Sequence, residues 1–304
     1  MPAKKPRNAM NIMALMEQFD TDSECRAILE NLRWPDGVKC PRCESEKVYR
    51  ANPRKQFDCA GCGYQFSVMS GTIFHDTHLP LPKWFVAVYL MTESRKGISA
   101  NQMKRTLGVS YKTAWYLCHR IRAAMRDATP EQLRGIVEVD ETYIGGKARG
   151  RGRGYTRNKT MVVGAVQRGG NIRLRVAENN TAKILHGFIN ETVHDDAEAI
   201  YTDEHQSYAG IDDSNTRHET VHHKAEEWVR ADVHTNTVES VWSLLKRSVV
   251  GSYHHLSAKH LDAYLDEMSF RFNNRHNEYL FRDTLMKLIG AETLPYSELI
   301  AESA

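Results

Sequence analysis

The chain has 304 residues, which is enough for two or three domains with sizeable cores. Its hydrophobic residues, 41% of the total, form no apolar run near the roughly 20 residues that a membrane-spanning helix needs. The N-terminus, Met1-Pro-Ala-Lys-Lys-Pro-Arg, is basic and lacks an apolar signal core, so we expect a soluble, cytoplasmic protein with no membrane partner.

The net charge of +3 conceals an asymmetry between the two halves of the chain. Residues 1–135 hold 21 Lys and Arg against 13 Asp and Glu, whereas residues 136–304 hold 20 against 25. A basic first half fits contact with nucleic acid phosphates. An acidic second half fits either a solvated surface or clustered carboxylates that hold cations, and charge alone does not separate these two possibilities.

The first segment predicts two short amphipathic helices within residues 10–33, followed by a turn at Trp34-Pro-Asp-Gly. Four cysteines then occur as two Cys-x-x-Cys pairs: Cys40, Cys43, Cys59 and Cys62. Such pairs predict one structural Zn²⁺ in a tetrahedral site, because each tight turn offers two thiolates. Two disulfides or four buried thiols are the alternative, which a cytosolic chain disfavours. Short predicted strands at 48–50, 55–58 and 64–68 would complete a zinc ribbon, which either binds DNA or only braces a small domain.

The next segment predicts three helices. The first covers residues 81–94, with Pro82 in its first turn. The second and third begin after the capping residues Ser99 and Ser110, and a Gly-containing turn separates them, which is the helix-turn-helix layout. The third helix would direct Tyr111, Lys112 and Tyr116 towards the major groove of DNA, while Trp115, Leu117 and Ile121 pack inside. A plain helical hairpin is the alternative.

From residue 136 the pattern changes to strands. We predict strands at 136–144, 161–167, 172–177, 199–203 and 219–222, and an amphipathic helix at 181–193. A second helix would join the last two strands, one more would have Asn236 or Thr237 as its N-cap, and another would be capped by Ser257 and run to about Asn274. This order is that of an RNase H-like α/β domain, although strands and helices alternate in many folds. The glycine-rich basic segment 145–159 is interpreted either as a loop that orders on phosphates or as a solvated loop.

Three acidic residues stand out in this second half. Asp140 lies late in the first strand, and Asp203 ends the fourth, which is its neighbour in an RNase H-like sheet. Glu239 lies on the following helix, with Trp242 and Lys246 on the same helix face. Carboxylates of this kind suit two Mg²⁺ ions, for which Mn²⁺ can substitute, and two metals support in-line phosphoryl displacement.

Alternative acids lie close to each of these positions. Glu138 and Glu141 flank Asp140, Glu204 follows Asp203, and Asp232 precedes Glu239. Glu239 itself could only close a capping box with Asn236.

Several motifs together resemble the ISXO-type family of bacterial insertion-sequence transposases, which carry an N-terminal zinc ribbon. The matching motifs are Trp34-Pro-Asp-Gly with Cys40-Pro-Arg-Cys, Gly71-Thr-Ile-Phe-His-Asp-Thr, Tyr111-Lys-Thr-Ala-Trp, Asp140-Glu-Thr-Tyr-Ile-Gly-Gly-Lys, His234-Thr-Asn with Glu239, and Lys246-Arg. The resemblance implies a DDE-type DNA transposase, a polynucleotidyl transferase and endonuclease. It assigns Asp140, Asp203 and Glu239 to the acidic triad that binds Mg²⁺ and Lys246 to the basic residue two turns later. Some members carry asparagine as the third catalytic residue, for which Asn236 is the alternative.

The implied fold class is α/β, with five segments: an N-terminal helical segment (1–33), a zinc ribbon (34–70), a helix-turn-helix domain (71–134), an RNase H-like DDE catalytic domain (135–275) and a C-terminal tail (276–304). The implied partners are double-stranded DNA, as terminal inverted repeats and target, and at least a second copy of the chain, because two DNA ends must be joined. Two other functions stay open. One is a DNA-binding regulator with a spent catalytic domain, which an intact triad disfavours. The other is a structure-selective nuclease, which would need neither ribbon nor helix-turn-helix.

Overall fold

The structure is a computed structural model that describes residues 10–51, 55–145, 159–211, 216–221 and 233–301. It divides into two compact units. The first unit combines residues 1–126 with 276–304, and the second unit spans residues 127–275. Most of the predicted basic loop, residues 146–158, lies outside the described residues. No helix within the described ranges is long and apolar enough to cross a membrane.

The first unit begins with two helices and a small sheet, as predicted. Helix α1 (Ile12–Gln18) is followed by α2 (Asp22–Arg33), which starts with a capping box between Thr21 and Glu24. Three antiparallel strands follow: β1 (Val48–Ala51), β2 (Gln56–Cys59) and β3 (Gln65–Phe66). Buried Phe57 and Phe66 lie between the partly buried rings of Trp34 and Tyr64, so four aromatic rings form most of this small core.

Three further helices of the first unit agree with the sequence prediction. They are α3 (Leu81–Glu93), α4 (Ala100–Leu107) and α5 (Tyr111–Met125). Ser99 and Ser110 accept hydrogen bonds from backbone amides in the first turns of α4 and α5, as expected of N-caps. Gly108 ends α4 with φ +61, a left-handed conformation that glycine adopts without steric cost.

The second unit is built on one mixed sheet of five strands. The strands are β4 (Ile136–Gly145), β5 (Lys159–Gln167), β6 (Ile172–Ala177), β7 (Ala199–Asp203) and β8 (Arg217–Val221). Their order across the sheet is β6-β5-β4-β7-β8, with β4, β5 and β6 antiparallel and β4, β7 and β8 parallel. All five predicted strands are present, and β4 and β7 are neighbours as expected.

Helices cover both faces of this sheet. Helix α6 (Ala182–Thr192) packs on one face, and α7 (Asn236–Ser248) and α8 (Leu261–Asn273) pack on the other. Because β6 is an edge strand, two of its amides donate to side chains of α8, Asp262 and Asn273. Between β7 and β8 the described residues contain a one-turn 3₁₀ helix, Gln206–Tyr208, where the sequence suggested a full helix.

The chain then returns to the first unit. Residues 276–301, in which no motif was found in the sequence, contain helices α9 (Leu280–Gly290) and α10 (Tyr296–Ile300). Helix α9 buries Leu280, Leu285 and Leu288 and packs against α2, α3 and α5. These C-terminal residues therefore contribute to the core of the first unit.

Candidate active site

The four predicted zinc ligands lie together in the first unit. The Sγ atoms of Cys40 and Cys62 are 3.7 Å apart, those of Cys43 and Cys59 are 3.5 Å apart, and all four lie within 4.8 Å of one another. A tetrahedral zinc with Zn–S bonds of about 2.3 Å needs sulfur atoms about 3.8 Å apart. The thiols therefore fit a structural zinc, and disulfide pairing is wrong because all six cysteines are free.

Asp140 lies on the face of β4 that α7 covers. Side chains alternate along a strand, so Glu138, Asp140 and Ile144 share this face while Val137 and Val139 face α6. The indole N–H of Trp242 on α7 donates to Asp140 Oδ2 at 2.8 Å. Burial raises the pKa of Asp140 to about 7; the bond from Trp242 opposes this change, and the charges of Glu141 and Asp203 add to it. Asp140 is therefore a carboxylate whose charge lacks full compensation.

Asp203 is brought beside Asp140 by the strand register. The parallel pairing aligns Ile136 with Ala199 and Glu138 with Tyr201, two residues before Asp140 and Asp203 respectively. Asp203 is near enough for its charge to raise the pKa of Asp140. The backbone N–H of His205 donates to Asp203 Oδ1 at 3.0 Å, which orients the carboxylate at the end of β7.

Glu239 and Lys246 lie on α7 along an open groove of about 620 Å³. Asp140, Trp242 and Arg247 also line this groove, which therefore has acids at one end and two cations farther along α7. Asp203 is not among the lining residues. In the part of the chain that the structure describes, the cysteines are the one group of three or more side chains placed to hold a metal ion, so the three acids do not form such a group. Carboxylates that repel one another stay apart unless a cation holds them.

The first turn of α7 shows whether Glu239 forms a capping box with Asn236. The N-cap of the helix is Thr235, whose side chain makes no capping bond, so the predicted cap at Asn236 or Thr237 is wrong. Asn236 is exposed and lies within the first turn, and the capping box with Glu239 is absent. Glu239 is exposed at the groove, and its Oε1 accepts a hydrogen bond of 3.5 Å from the hydroxyl of Thr235.

The alternative acids near Asp140 have other partners. Glu141 also lines the groove, but its carboxylate accepts a hydrogen bond of 2.6 Å from the hydroxyl of Tyr208. Glu138 is fully buried and accepts hydrogen bonds from Arg168 and from the first turn of α7. These bonds could not be predicted from the sequence, because the partners of Glu138 lie far along the chain. Asp232 lies outside the described residues.

Gly164 makes room for Trp242. It pairs with Asp140 across β4 and β5, and a Cβ atom at Gly164 would lie 2.5 Å from Cη2 of Trp242. Real Cβ atoms essentially never show such a contact. A glycine opposite Asp140 therefore lets the indole ring approach the sheet closely enough to donate to the carboxylate.

The predicted DNA-facing side of α5 is partly occupied within the first unit. Tyr111 is exposed, as expected. However, the hydroxyl of Tyr116 donates to the carbonyl oxygen of Leu294 at 2.5 Å, and Lys112 Nζ lies 4.4 Å from the ring centroid of Tyr296. Tyr116 thus contacts the C-terminal segment, whereas the sequence suggested that it faces DNA.

Residues in both units match known protein families. Residues 132–273 match the family model described as the ISXO2-like transposase domain, and residues 20–65 match the transposase zinc-ribbon domain. A protein from Halobacterium salinarum, described as an uncharacterized protein in transposable element ISH50, is 31% identical over 255 residues, covering 77% of this chain and 85% of the relative.

Two solved structures, a pre-cleavage Mos1 transpososome and a Mos1 transposase paired-end complex with left transposon end, show weak similarity. Their TM-scores are 0.28 and 0.29, each with 12% identity over 68% of this chain and 75% of the other.

A zinc ribbon followed by an α/β domain with this groove, together with these family matches, defines a DNA transposase of an insertion sequence. The chain belongs to the ISXO2-like transposase family.

Proposed function

We propose that this transposase cuts and joins DNA at the ends of its element in the groove of the second unit, which we interpret as an RNase H-like DDE site. The strand order β6-β5-β4-β7-β8 supports the RNase H-like interpretation, because it brings the ends of β4 and β7 together. The observation that carries the proposal is that Asp140, Glu239 and Lys246 line one groove although they come from distant parts of the chain.

The three acids are the proposed ligands of two Mg²⁺ ions. Carboxylate oxygens are the donors that Mg²⁺ prefers, and the raised pKa of Asp140 indicates negative charge that a cation would neutralise. When bound, the two ions supply an activated attacking oxygen and charge stabilisation of the leaving oxygen. The acids would hold the ions between the sheet edge and α7. Because the attacking oxygen would be activated by an ion, no side chain needs to act as a nucleophile.

The cations of α7 have a separate role in this proposal. Lys246 and Arg247 are exposed along the groove and would bind a phosphate of the DNA strand. Lysine acts as a point charge on phosphate, whereas arginine can bind it through two hydrogen bonds. Lys246→Ala is therefore expected to weaken binding of the cleavable end without removing the metal ligands.

The first unit would bind the terminal inverted repeats. We propose that α4 and α5 form a helix-turn-helix, with Tyr111 and Lys112 at the DNA, and that the zinc ribbon adds backbone contacts. Joining two ends would need at least two copies of the chain. A DNA-binding regulator without catalysis would keep this unit and lose the groove chemistry.

The test is Mg²⁺-dependent nicking of labelled duplexes that carry the DNA flanking the gene. Asp140→Asn, Asp203→Asn and Glu239→Gln should each lower the nicking rate roughly a thousandfold or more, because metal stabilisation of the transition state is worth several kcal/mol. Glu191→Gln, which removes an exposed carboxylate paired with Arg175 on the same unit, is the matched control and should nick normally.

Zinc content and DNA binding should be unchanged in all four variants. If Glu239→Gln nicks like wild type, the groove has been assigned to the wrong acid. If wild type binds its ends but never nicks or joins them with Mg²⁺ or Mn²⁺, the regulator is the better interpretation.

A further inference from the structure

Glu138 has an environment that differs from that of the groove acids. It lies on β4 two residues before Asp140, on the same face, and its exposed fraction is 0%. Four donors make hydrogen bonds to its carboxylate: Arg168 Nε at 2.7 Å, the backbone N–H groups of Thr237 at 2.7 Å and Val238 at 3.0 Å, and the Thr237 hydroxyl at 2.8 Å. His234 Nδ1 lies 3.3 Å from Glu138 Oε1 but makes no hydrogen bond to it.

These contacts make Glu138 the N-terminal cap of α7, supplied from the sheet. The first amides of a helix have no partner inside the helix, and the positive end of the helix dipole favours a carboxylate there. Thr235, the residue at the capping position, makes no side-chain bond to these amides. Glu138 therefore satisfies two backbone donors that would otherwise be left unpaired, Thr237 N–H and Val238 N–H.

Arg168 makes this buried carboxylate possible. A buried charge without a partner costs several kcal/mol, so a counter-ion is needed. The guanidinium of Arg168 donates to Glu138 and also to the carbonyl oxygen of His234 at 2.9 Å, and it lies over the ring of Tyr201 at 4.8 Å. One arginine thus joins β5–β6, β7 and the entry to α7.

This anchor lies beside the proposed metal ligands on both elements. Glu239 directly follows Val238 on α7, and Asp140 follows Glu138 by two residues on β4. A second contact, the hydrogen bond from Trp242 to Asp140, joins the same strand and helix one turn farther along. The hydrogen bonds at Glu138 and at Asp140 together hold α7 against β4. They set the position of the helix along the strand and the distance of its first turn from the sheet.

We propose that Glu138, held by Arg168, is a positioning residue that sets Glu239 at the right distance from Asp140 for metal binding. This inference rests on the proposed function, in which both acids are metal ligands. The carboxylate of Glu138 is itself occupied by its four hydrogen-bond donors and contacts no substrate. Replacing it should therefore change metal affinity more than it changes DNA binding.

The experiment compares two buried glutamates in the full-length protein. Glutamine at position 138 keeps the size of the side chain but offers one acceptor oxygen to the donors around it, so the first turn of α7 should loosen. Glu267→Gln is the matched control. Glu267 is also fully buried and lies on α8, and its carboxylate pairs with Arg271 and accepts a bond from the Tyr253 hydroxyl, both outside α7.

Two measurements are made on each variant. Hydrogen exchange follows the amides of Thr237 and Val238, and nicking of end DNA is titrated with Mg²⁺. For Glu138→Gln we expect faster exchange at these amides and a Mg²⁺ concentration for half-maximal nicking raised about tenfold or more, as is usual when a residue that orients a metal ligand is lost. High Mg²⁺ should restore part of the rate. Thr237→Val, which removes only the hydroxyl bond, should give a smaller change in the same direction.

The controls separate the possible failures. Glu267→Gln should lower the stability of the second unit without shifting the Mg²⁺ dependence, and Glu239→Gln should not recover at any Mg²⁺ concentration. If Glu138→Gln and Glu267→Gln shift the Mg²⁺ dependence equally, or if Glu138→Gln does not shift it, the positioning role is wrong. If wild type does not nick at all, the proposed function is wrong. Faster exchange of the α7 amides in Glu138→Gln would then support only the capping role of Glu138.

Discussion

At the scale of single residues, Asp140 shows how the fold sets the chemistry of one carboxylate. Its side chain is held against α7 by the bond from Trp242, in a place where burial favours the neutral acid. The nearby charges of Glu141 and Asp203 act in the same direction as burial. A carboxylate held in this way favours a cation in the groove, since a cation removes the cost of its charge.

The raised pKa of Asp140 predicts a pH-dependent stability. The pKa rises from 3.8 to about 7 on folding, so the folded state disfavours ionisation, and stability is lost as pH increases between these two values. At about 1.4 kcal/mol per pH unit, the loss amounts to about 4 kcal/mol above pH 7. Asp140→Asn stays neutral and can still accept the bond from Trp242. In magnesium-free buffer, its second unit should be more stable than wild type by up to about 4 kcal/mol at pH 8 and by about half of that at pH 5.5.

Urea unfolding, followed through hydrogen exchange of the β4 amides, measures this difference. Added Mg²⁺ should stabilise wild type and leave Asp140→Asn nearly unchanged. If the stability of wild type and of Asp140→Asn changes with pH in the same way, the raised pKa of Asp140 is wrong. Glu191→Gln, on the surface of α6, should change stability by less than about 1 kcal/mol at every pH.

The sequence predicted some of these residues and missed others for a physical reason. Local patterns predicted the strands that carry Asp140 and Asp203, whereas the pairing of these strands was expected from the RNase H-like order. Glu138 was only an alternative to Asp140, because its partners Arg168, Thr237 and Val238 are brought to it by the tertiary fold. Buried ion pairs of this kind leave no local pattern in the sequence.

At the scale of elements, the fit between β5 and α7 depends on one glycine. The ring of Trp242 occupies the space that a side chain at residue 164 would need. Val162 and Val166 are buried in the same core as Trp242. The N-cap of α7 was mispredicted for a related reason. Local capping patterns favoured Asn236 or Thr237, but the actual cap comes from a neighbouring strand.

Gly164→Ala should displace the indole of Trp242 and weaken its bond to Asp140. The added methyl group would meet the ring at 2.5 Å and Leu174 at 2.8 Å, and overpacking of this kind typically costs about 1–3 kcal/mol. We expect slower nicking as well as lower stability, because Asp140 loses the donor that orients it. Trp242→Phe, which removes the N–H but keeps most of the ring, should share the loss of activity with a smaller loss of stability.

Gly187→Ala is the matched control in the same unit. Gly187 lies within α6, and nothing stands within 4 Å of an added Cβ. Alanine is favoured over glycine inside a helix by roughly 0.5–1 kcal/mol, so this variant should be as stable as wild type or more so, with normal nicking. Normal nicking by Gly164→Ala would mean that the position of Trp242 is not important for the groove.

At the scale of the whole molecule, the chain leaves the first unit at residue 126 and comes back to it at residue 276. Sequence patterns predicted a linear arrangement of domains, with residues 276–304 as a tail. The helical pattern of Leu280, Leu285 and Leu288 was short and carried no motif, so its packing against α2, α3 and α5 could not be inferred from the sequence. The contact of Tyr116 with Leu294 has the same origin.

This topology predicts how the first unit can be isolated. A fragment of residues 1–126 alone would expose the apolar surface that α9 covers, and exposed patches of this kind cause aggregation. We expect it to be poorly soluble, whereas co-expression with residues 276–304 should give a stable pair that contains about one zinc. The pair should bind the end DNA with an affinity that falls steeply with salt, because each phosphate contact releases counterions.

Two substitutions in the 276–304 fragment test this pairing. Leu285→Asp should abolish it, because Leu285 is buried, while Met286→Asp, at an exposed position of the same helix, should not. A soluble 1–126 fragment that binds end DNA as tightly as the full-length protein would show that α9 is dispensable for this unit.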